Sequence, residues 1–308
     1  MRPLHLVPPN TKIPFIRARG FTVVFSAFLS LLSVVLLTVF GLNLGIDFVG
    51  GITMEVRSRQ AADLAQMRHT LDGLGLGDVA LQEFGSANDV LVRIQRQAGG
   101  DRAQTEVVEK VKAALGDAIE YRRIEVVGPK VGGELIQNGV VAIILSLLAI
   151  AVYVWFRFEW QFGLAALIAL LHDTLSTIGL FALARLEFDI STVAAVLLVA
   201  GYSINDSVVV FDRIRENMRK YKRMDFGDLM DLSINQTLSR TVLASGTTFL
   251  AVLALVLFGG EVIRGFSICM LWGIVIGTYS SIALAAPLLL YLNPSRVVDA
   301  AEVAAAAP

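Results

Sequence analysis

Six apolar runs, each close to the length that crosses a bilayer, limit what this chain of 308 residues can fold into. They occupy residues 21–41, 137–156, 162–184, 190–211, 241–258 and 265–292. Crossing the hydrocarbon takes about 20 apolar residues at a helical rise of about 1.5 Å each. Within lipid every backbone N–H and C=O must be satisfied inside the segment, so each run is expected to be a helix. Hydrophobic residues make up 55% of the chain, 17% are charged, and mean hydropathy is +0.67, which places it among membrane proteins. A net charge of −1 gives no basis for binding nucleic acid. The single cysteine, Cys269, lies in an apolar run, where it can supply neither a disulfide framework nor a cysteine-based metal site. No metal or cofactor is expected.

The first run follows Arg17 and Arg19, as the core of a secretory signal would. It is too long for that, and Gly-Leu-Asn-Leu-Gly follows instead of a small-x-small cleavage site, so it reads as an uncleaved anchor. Positive charge then sets orientation. The N-terminal segment 1–20 carries Arg2, Lys12, Arg17 and Arg19. A basic loop expected at 212–240 carries Arg213, Arg215, Arg219, Lys220, Lys222, Arg223 and Arg240. Arg157, between Trp155 and Trp160, marks the turn from the second to the third span. Six crossings put all three on one side, the cytoplasm, together with an Ala-rich tail at 293–308 that is expected to be disordered from Val297. The short turns at 185–189 and 259–264 then face the opposite side.

An insert at 42–136 is far longer than an ordinary connection. Strand-like patterns at 52–56, 79–84, 90–94 and 119–127 alternate with helical spacing at 61–74 and 105–115, and Gly-Ser-Ala-Asn-Asp reads as a turn. The order β-α-β-β-α-β is the ferredoxin-like arrangement. The expected fold is therefore a polytopic α-helical membrane protein, six transmembrane helices with an inserted α+β (ferredoxin-like) periplasmic domain. No cluster of His, Cys or paired acids in the insert suggests catalysis, and His69 stands alone on a helix. Gly50 and Gly51 precede the insert's first strand, and Gly128 and Pro129 follow its last. These are either bends at the membrane boundary or a hinge pair on which the domain swings.

Polar residues inside the apolar runs carry the functional signal. Asp206 opposes insertion by about 2.5–3.5 kcal/mol. It lies roughly 10 Å inside Arg213 at helical rise, and His172 and Asp173 lie roughly 15 Å into the third span. The third and fourth spans are antiparallel neighbours, so these groups can share a layer. Arg240 opens the fifth span, or lies deeper in it if the helix begins near Leu232, and its long stem lets it reach towards Asp206 or away. Asp206 is then either locked to Arg240 as a packing element or a carboxyl that takes up and releases a proton as that partner moves. Asn205 and Ser203 are placed to hydrogen-bond the Asp206 carboxyl or a water beside it, and Tyr202 does likewise or packs. Asp173 has the same two readings. His172 points about 100° round the helix from Asp173 and is expected to be a satisfied core residue. Ser245, Gly246, Thr247 and Thr248 suggest close helix approach, and Gly273-Ile-Val-Ile-Gly277 matches GxxxG.

The run at 201–217, Gly-Tyr-Ser-Ile-Asn-Asp-Ser-Val-Val-Val-Phe-Asp-Arg-Ile-Arg-Glu-Asn, closely resembles the SecF signature of the SecD/SecF family of bacterial protein-export membrane proteins. So do residues 45–51, Val127-Gly128-Pro129, and 238–241 with 245–250. The resemblance spans roughly residues 10–295; Ser207 stands where the family pattern commonly has Thr, and it keeps the hydroxyl. It implies a non-enzymatic export subunit that pairs with a SecD-like six-span chain into a pseudo-symmetric twelve-helix unit akin to proton-driven RND transporters. It also implies work beside a SecYEG-type channel, drawing a translocating unfolded preprotein across the bacterial inner membrane at the expense of the proton-motive force. Asp206 and Arg240 match the acid and the arginine implicated in proton passage, and the external domain is implied to move, which strengthens the hinge reading. Two rivals stand beside it: half of an RND-like proton-coupled exporter of small molecules or lipids, and a passive scaffold.

Overall fold

The structure, a computed structural model, describes residues 8, 11–77, 79–84, 86–116, 119–260 and 263–294. Most of the tail and Arg2 lie outside the described residues. After α1 (Arg19–Val39) the chain forms a short strand, β1 (Asn43–Leu44), and one helical turn, α2 (Ile46–Val49). The insert follows as β2 (Gly51–Ser58), α3 (Leu64–Asp72), β3 (Val79–Phe84), β4 (Ser86–Gln95), α4 (Gly100–Leu115) and β5 (Ile119–Val127). Then come α5 (Pro129–Arg157), α6 (Trp160–Ala184), the two-residue strand β6 (Glu187–Phe188), α7 (Ile190–Lys220), α8 (Phe226–Phe258), α9 (Arg264–Ser280) and α10 (Ala286–Leu292).

Among the described residues, six helical segments are long and apolar enough to cross a membrane: α1, α5, α6, α7, α8, and α9 continued through α10. Their burial sorts them into layers. The most apolar windows of α6, α7 and α9–α10 are 61%, 50% and 50% buried, and those of α1, α5 and α8 are 17%, 6% and 17%. The first three form the centre, and the others turn apolar surface outward, which lipid tolerates and water does not.

The insert is a four-stranded antiparallel sheet in the order β3-β4-β2-β5, the ferredoxin-like order expected of β-α-β-β-α-β. Ile52, Met54 and Val56 point from the central strand β2 to one face, where Val90, Val92 and Ile94 join Leu71 of α3 and Val111 of α4. Asp63 caps α3 by accepting from the Gln66 N–H at 3.0 Å.

Two boundaries differ from expectation. Most of the Gly-Ser-Ala-Asn-Asp turn is strand, because β4 begins at Ser86. Asp89 lies directly opposite Arg57 of β2, and the guanidinium grips its carboxylate at 2.6 and 2.7 Å while Ser86 donates at 2.8 Å. The Arg57 hydrogen bonds, and after them the Ser86 hydroxyl, hold the Asp89 carboxyl well below the usual carboxylate range. The basic segment 212–240 is helical rather than a loop, except for a turn at 221–225 between α7 and α8. There Ile214 and Met218 of α7 pack with Leu229, Met230 and Ile234 of α8, Asn217 donates to Ser233 at 2.8 Å, and Asp225 caps α8 at Gly227. Hydropathy falls after Phe211 because the helix leaves its apolar surroundings, not because it ends.

Candidate functional site

The site forms where α9 crosses α7, and glycine permits the crossing. A Cβ on Gly273 would overlap the Val199 side chain, and one on Gly277 would lie 3.1 Å from the Ser203 Cβ. The GxxxG pair is therefore the surface on which α9 meets α7. Just beyond it the backbone widens into a π turn over Ser281–Ala285, ahead of Pro287. Proline has no N–H to donate and crowds the preceding turn, and one wider turn absorbs that mismatch. Ser203 and Asp206 of α7 thus face Thr278 and Ser280 of α9.

Asp206 is 2% exposed. Its Oδ2 accepts from Ser245 Oγ of α8 at 3.1 Å and from Thr278 Oγ1 at 3.5 Å. Thr278 also lies 2.8 Å from Ser245 Oγ, so three helices meet in one hydroxyl cluster around the carboxyl. Asp173 of α6 is fully buried and holds a second cluster. Its Oδ1 lies 2.8 Å from His172 Nδ1, and its Oδ2 accepts from Ser203 Oγ at 2.5 Å and Ser280 Oγ at 2.6 Å. The two clusters are joined through α7 by Ser203 and Asp206, and through α9 by Thr278 and Ser280.

Several expected contacts are redistributed. Arg240 is exposed and forms no ion pair with Asp206 among the described residues, although its charge lies within electrostatic range. Ser245, which does reach Asp206, is five residues further along α8. Five residues turn a helix through about 500°, so Arg240 points roughly 140° away from Ser245. Ser203 bonds Asp173 rather than Asp206. Asn205 is exposed and bonds neither carboxylate. His172, expected to be a satisfied core residue, is the partner of Asp173 through Nδ1, because the imidazole reaches back across the 100° between neighbours, but its Nε2 is buried with no partner among the described residues. The Tyr202 hydroxyl is likewise buried and unbonded. Thr278 and Ser280 were missed from the sequence. The run Thr278-Tyr279-Ser280-Ser281 inside an apolar span was the available signal, but helix hydroxyls commonly bond their own backbone and so read as neutral.

A second feature ties this bundle to the insert. β1 pairs in parallel with β6, and the Gly45 N–H donates to Phe188 O at 2.9 Å. Arg93 of β4 forms an ion pair with Glu187. The Asp47 carboxylate accepts from the backbone N–H of Ile190, the first residue of α7, at 3.1 Å. The insert therefore rests on the turn from which the Asp206 helix starts. At its base Gly50 and Gly51 adopt φ of +80° and +153°, conformations that favour glycine. Gly128, with φ of −76°, caps α5, and Pro129 occupies its first position.

Against known proteins, the family described as "Protein export membrane protein SecD/SecF, C-terminal" matches residues 107–295, and the "SecD/SecF GG Motif" matches residues 35–62. The chain belongs to the SecD/SecF family. Protein translocase subunit SecF of Rickettsia felis is 48% identical over 291 residues, covering 93% of this chain and 94% of that protein. The subunit of the same name from Cereibacter sphaeroides is 47% identical over 302 residues, covering 95% and 93%. Among solved structures, that of SecDF, a translocon-associated membrane protein from Thermus thermophilus, superposes with a TM-score of 0.80 at 35% identity over 94% of this chain. A super-membrane-facing form of SecDF gives 0.72 at 34% identity over 99% of it. The chain spans about two fifths of those SecDF chains, 40% and 42%. The chain is thus a multi-pass membrane protein of the family of protein translocase subunits, and the family's GG motif covers Asp47, Gly50 and Gly51, the residues at the base of the insert.

Proposed function

We propose that this chain is the SecF-like half of a proton-driven export unit that assists translocation of unfolded preproteins across the bacterial inner membrane. Its partner is a SecD-like six-span chain, and the unit works beside a SecYEG-type channel. The observation that carries the proposal is Asp206: a buried carboxyl in the membrane layer, held by two hydroxyls instead of an ion pair, within the field of Arg240. Hydroxyls serve a carboxylate as donors and a protonated carboxyl as acceptors, so this cluster suits both states. Protonation removes the attraction to Arg240 and lets α7, α8 and α9 shift; Asp173 with Ser203 is the adjoining station of the same path. The movement reaches the external domain through the start of α7, where Asp47 and β6 hold the insert. Gly50, Gly51, Gly128 and Pro129 are the positions at which the domain turns.

The outward faces support the pairing. The peripheral helices α1, α5 and α8 bury little within this chain, and Asn205 of α7 faces out, so polar and apolar surface is left for a second bundle. Positive charge at Arg219 and Lys220, which end α7, and at Lys222 and Arg223 in the turn after it favours a cytoplasmic side that holds both termini, with the insert in the periplasm. Moving one charge across the membrane potential supplies about 2.3 kcal/mol per 100 mV, enough to bias such a cycle. Asp206→Asn keeps the shape and an acceptor oxygen but cannot titrate. In cells carrying it at normal subunit levels, gradient-dependent completion of export should fall to that of cells lacking the protein. Unchanged export with an assembled complex would falsify the proton role.

A further inference from the structure

Two depressions meet at the turn between α5 and α6. One is an apolar groove of about 750 Å³ lined by Ala151, Trp155, Phe158, Trp160, Gly163, Leu164 and Leu167, with one exposed acid, Glu159. Gln161 also lines it, only 6% exposed, and its Oε1 is buried with no hydrogen-bond partner. The other, of about 530 Å³, is polar and lined by Arg157, Arg215, Arg219 and Lys220 with Asp212 and Glu216. Phe158 joins them: the Arg157 and Arg215 guanidinium carbons lie 4.9 and 5.7 Å from its ring centre. Both acids of the polar depression are already engaged, Asp212 by Arg157 at 2.8 Å and Glu216 by Arg213 at 2.6 Å, which leaves Glu159 of the apolar groove as the one acid lining either depression with no ion pair among the described residues. Arg215, Arg219 and Lys220 therefore bring positive charge without a carboxylate partner among the described residues.

We propose that this composite groove binds one anionic phospholipid, with its acyl chains along the α5–α6 wall and its phosphate on Arg215, Arg219 and Lys220. Each part of the site answers one part of such a molecule. The apolar wall takes hydrocarbon, and Trp155 and Trp160, 71% and 55% exposed, sit where tryptophan lines the boundary between acyl chains and headgroups. Gln161 adds a polar side chain to the lining of the apolar wall. A zwitterionic lipid would bring an ammonium to three uncompensated cations; a net anionic headgroup does not. Because the cations stand on α7, the bound lipid ties the end of the Asp206 helix to the α5–α6 turn.

Brominated lipids test this directly, because the chain has three tryptophans and two of them flank the groove. The full chain carrying Trp272→Phe is placed in phosphatidylcholine vesicles that contain a rising minor fraction of brominated phosphatidylglycerol or, in parallel, brominated phosphatidylcholine. Brominated phosphatidylglycerol should quench Trp155 and Trp160 at a severalfold lower fraction, and added salt should bring the two curves together. Arg215→Gln with Arg219→Gln should weaken the phosphatidylglycerol response by about fivefold for each charge removed. Equal quenching by the two lipids means an unselective lipid shell, and no quenching by either means that protein covers the groove; both overturn the proposal. The salt series needs no substitution beyond the tryptophan, so it stands even where a groove variant fails to fold.

Discussion

Replacing Gly51 by alanine should loosen the sheet of the insert and leave the membrane helices as they are. Gly51 holds φ at +153°, and a Cβ there would sit 2.7 Å from the Ile94 carbonyl oxygen, where ordinary contact begins at 3.4 Å. The strand has no free side towards which to retreat, because Gly51 pairs with Gln95 on β4 and with Val127 on β5. A residue forced into a sparsely populated conformation costs about 1–3 kcal/mol. Relief by loosening one ladder adds about 0.5–1.5 kcal/mol for the hydrogen bond weakened. The total, about 1.5–4.5 kcal/mol, is a large part of the 5–15 kcal/mol that holds a typical domain together. Hydrogen exchange on the full chain reads this directly: amides of β2, β4 and β5 should lose one to three powers of ten in protection, and those of α6, α7 and α9 should keep theirs. Gly50→Ala, with φ of +80° and the Val127 oxygen 3.0 Å away, should produce a similar but smaller loss. If Gly51→Ala exchanged at the unsubstituted rates and yet stopped export, the steric account would be wrong and the glycine would be a pivot alone.

Three further outcomes are expected. Leu71→Ala opens a cavity beneath β2 at a fully buried position and should cost the insert about 2–5 kcal/mol, seen as faster exchange in α3 and the sheet. Asp89, whose carboxyl is held below its usual range, stabilises the folded state fully above its unfolded value near pH 4. That contribution is lost as pH falls from there towards the depressed folded value, so β4 protection should decline with acid, and Asp89→Asn should abolish the decline. Gly277→Val forces α9 away from Ser203 by overpacking, at about 1–3 kcal/mol, and separates Ser280 and Ser203 around Asp173. Export should fall although the subunit still assembles; normal export would show that the α7–α9 contact is not part of the working site.

Much of the architecture was legible because its causes are local. Six apolar runs of spanning length, a period that alternates between two and 3.6 in the insert, and the turn residues between them depend on neighbours in the chain. The weakest points were ends. The polarity of 212–240 reads as a loop, yet α7 and α8 continue there as amphipathic helices that bury Ile214 and Ile234 in one core. The Ser86–Asp89 turn was likewise strand, because its acid is paired across to Arg57.

The buried acids stood out in the sequence for a similar reason: charge inside an apolar run is conspicuous wherever the run packs. What surrounds them depends on how each helix is rotated and where it crosses its neighbours, and no local pattern carries that. Ser280 reaches Asp173 across 107 positions of sequence, and Asp47 meets the first N–H of α7 across 143. The turn of α8 that brings Ser245 to Asp206 carries Arg240 away. The sequence alone thus determined six spans, one α+β insert and two carboxyls in the membrane layer. Only the tertiary structure decided which hydroxyls hold those carboxyls, that Arg240 is turned away from Asp206 rather than paired with it, and that the insert rests on the start of the Asp206 helix. Side chains that meet across helices are selected by packing, and packing here is set by the glycines that let α9 lie against α7.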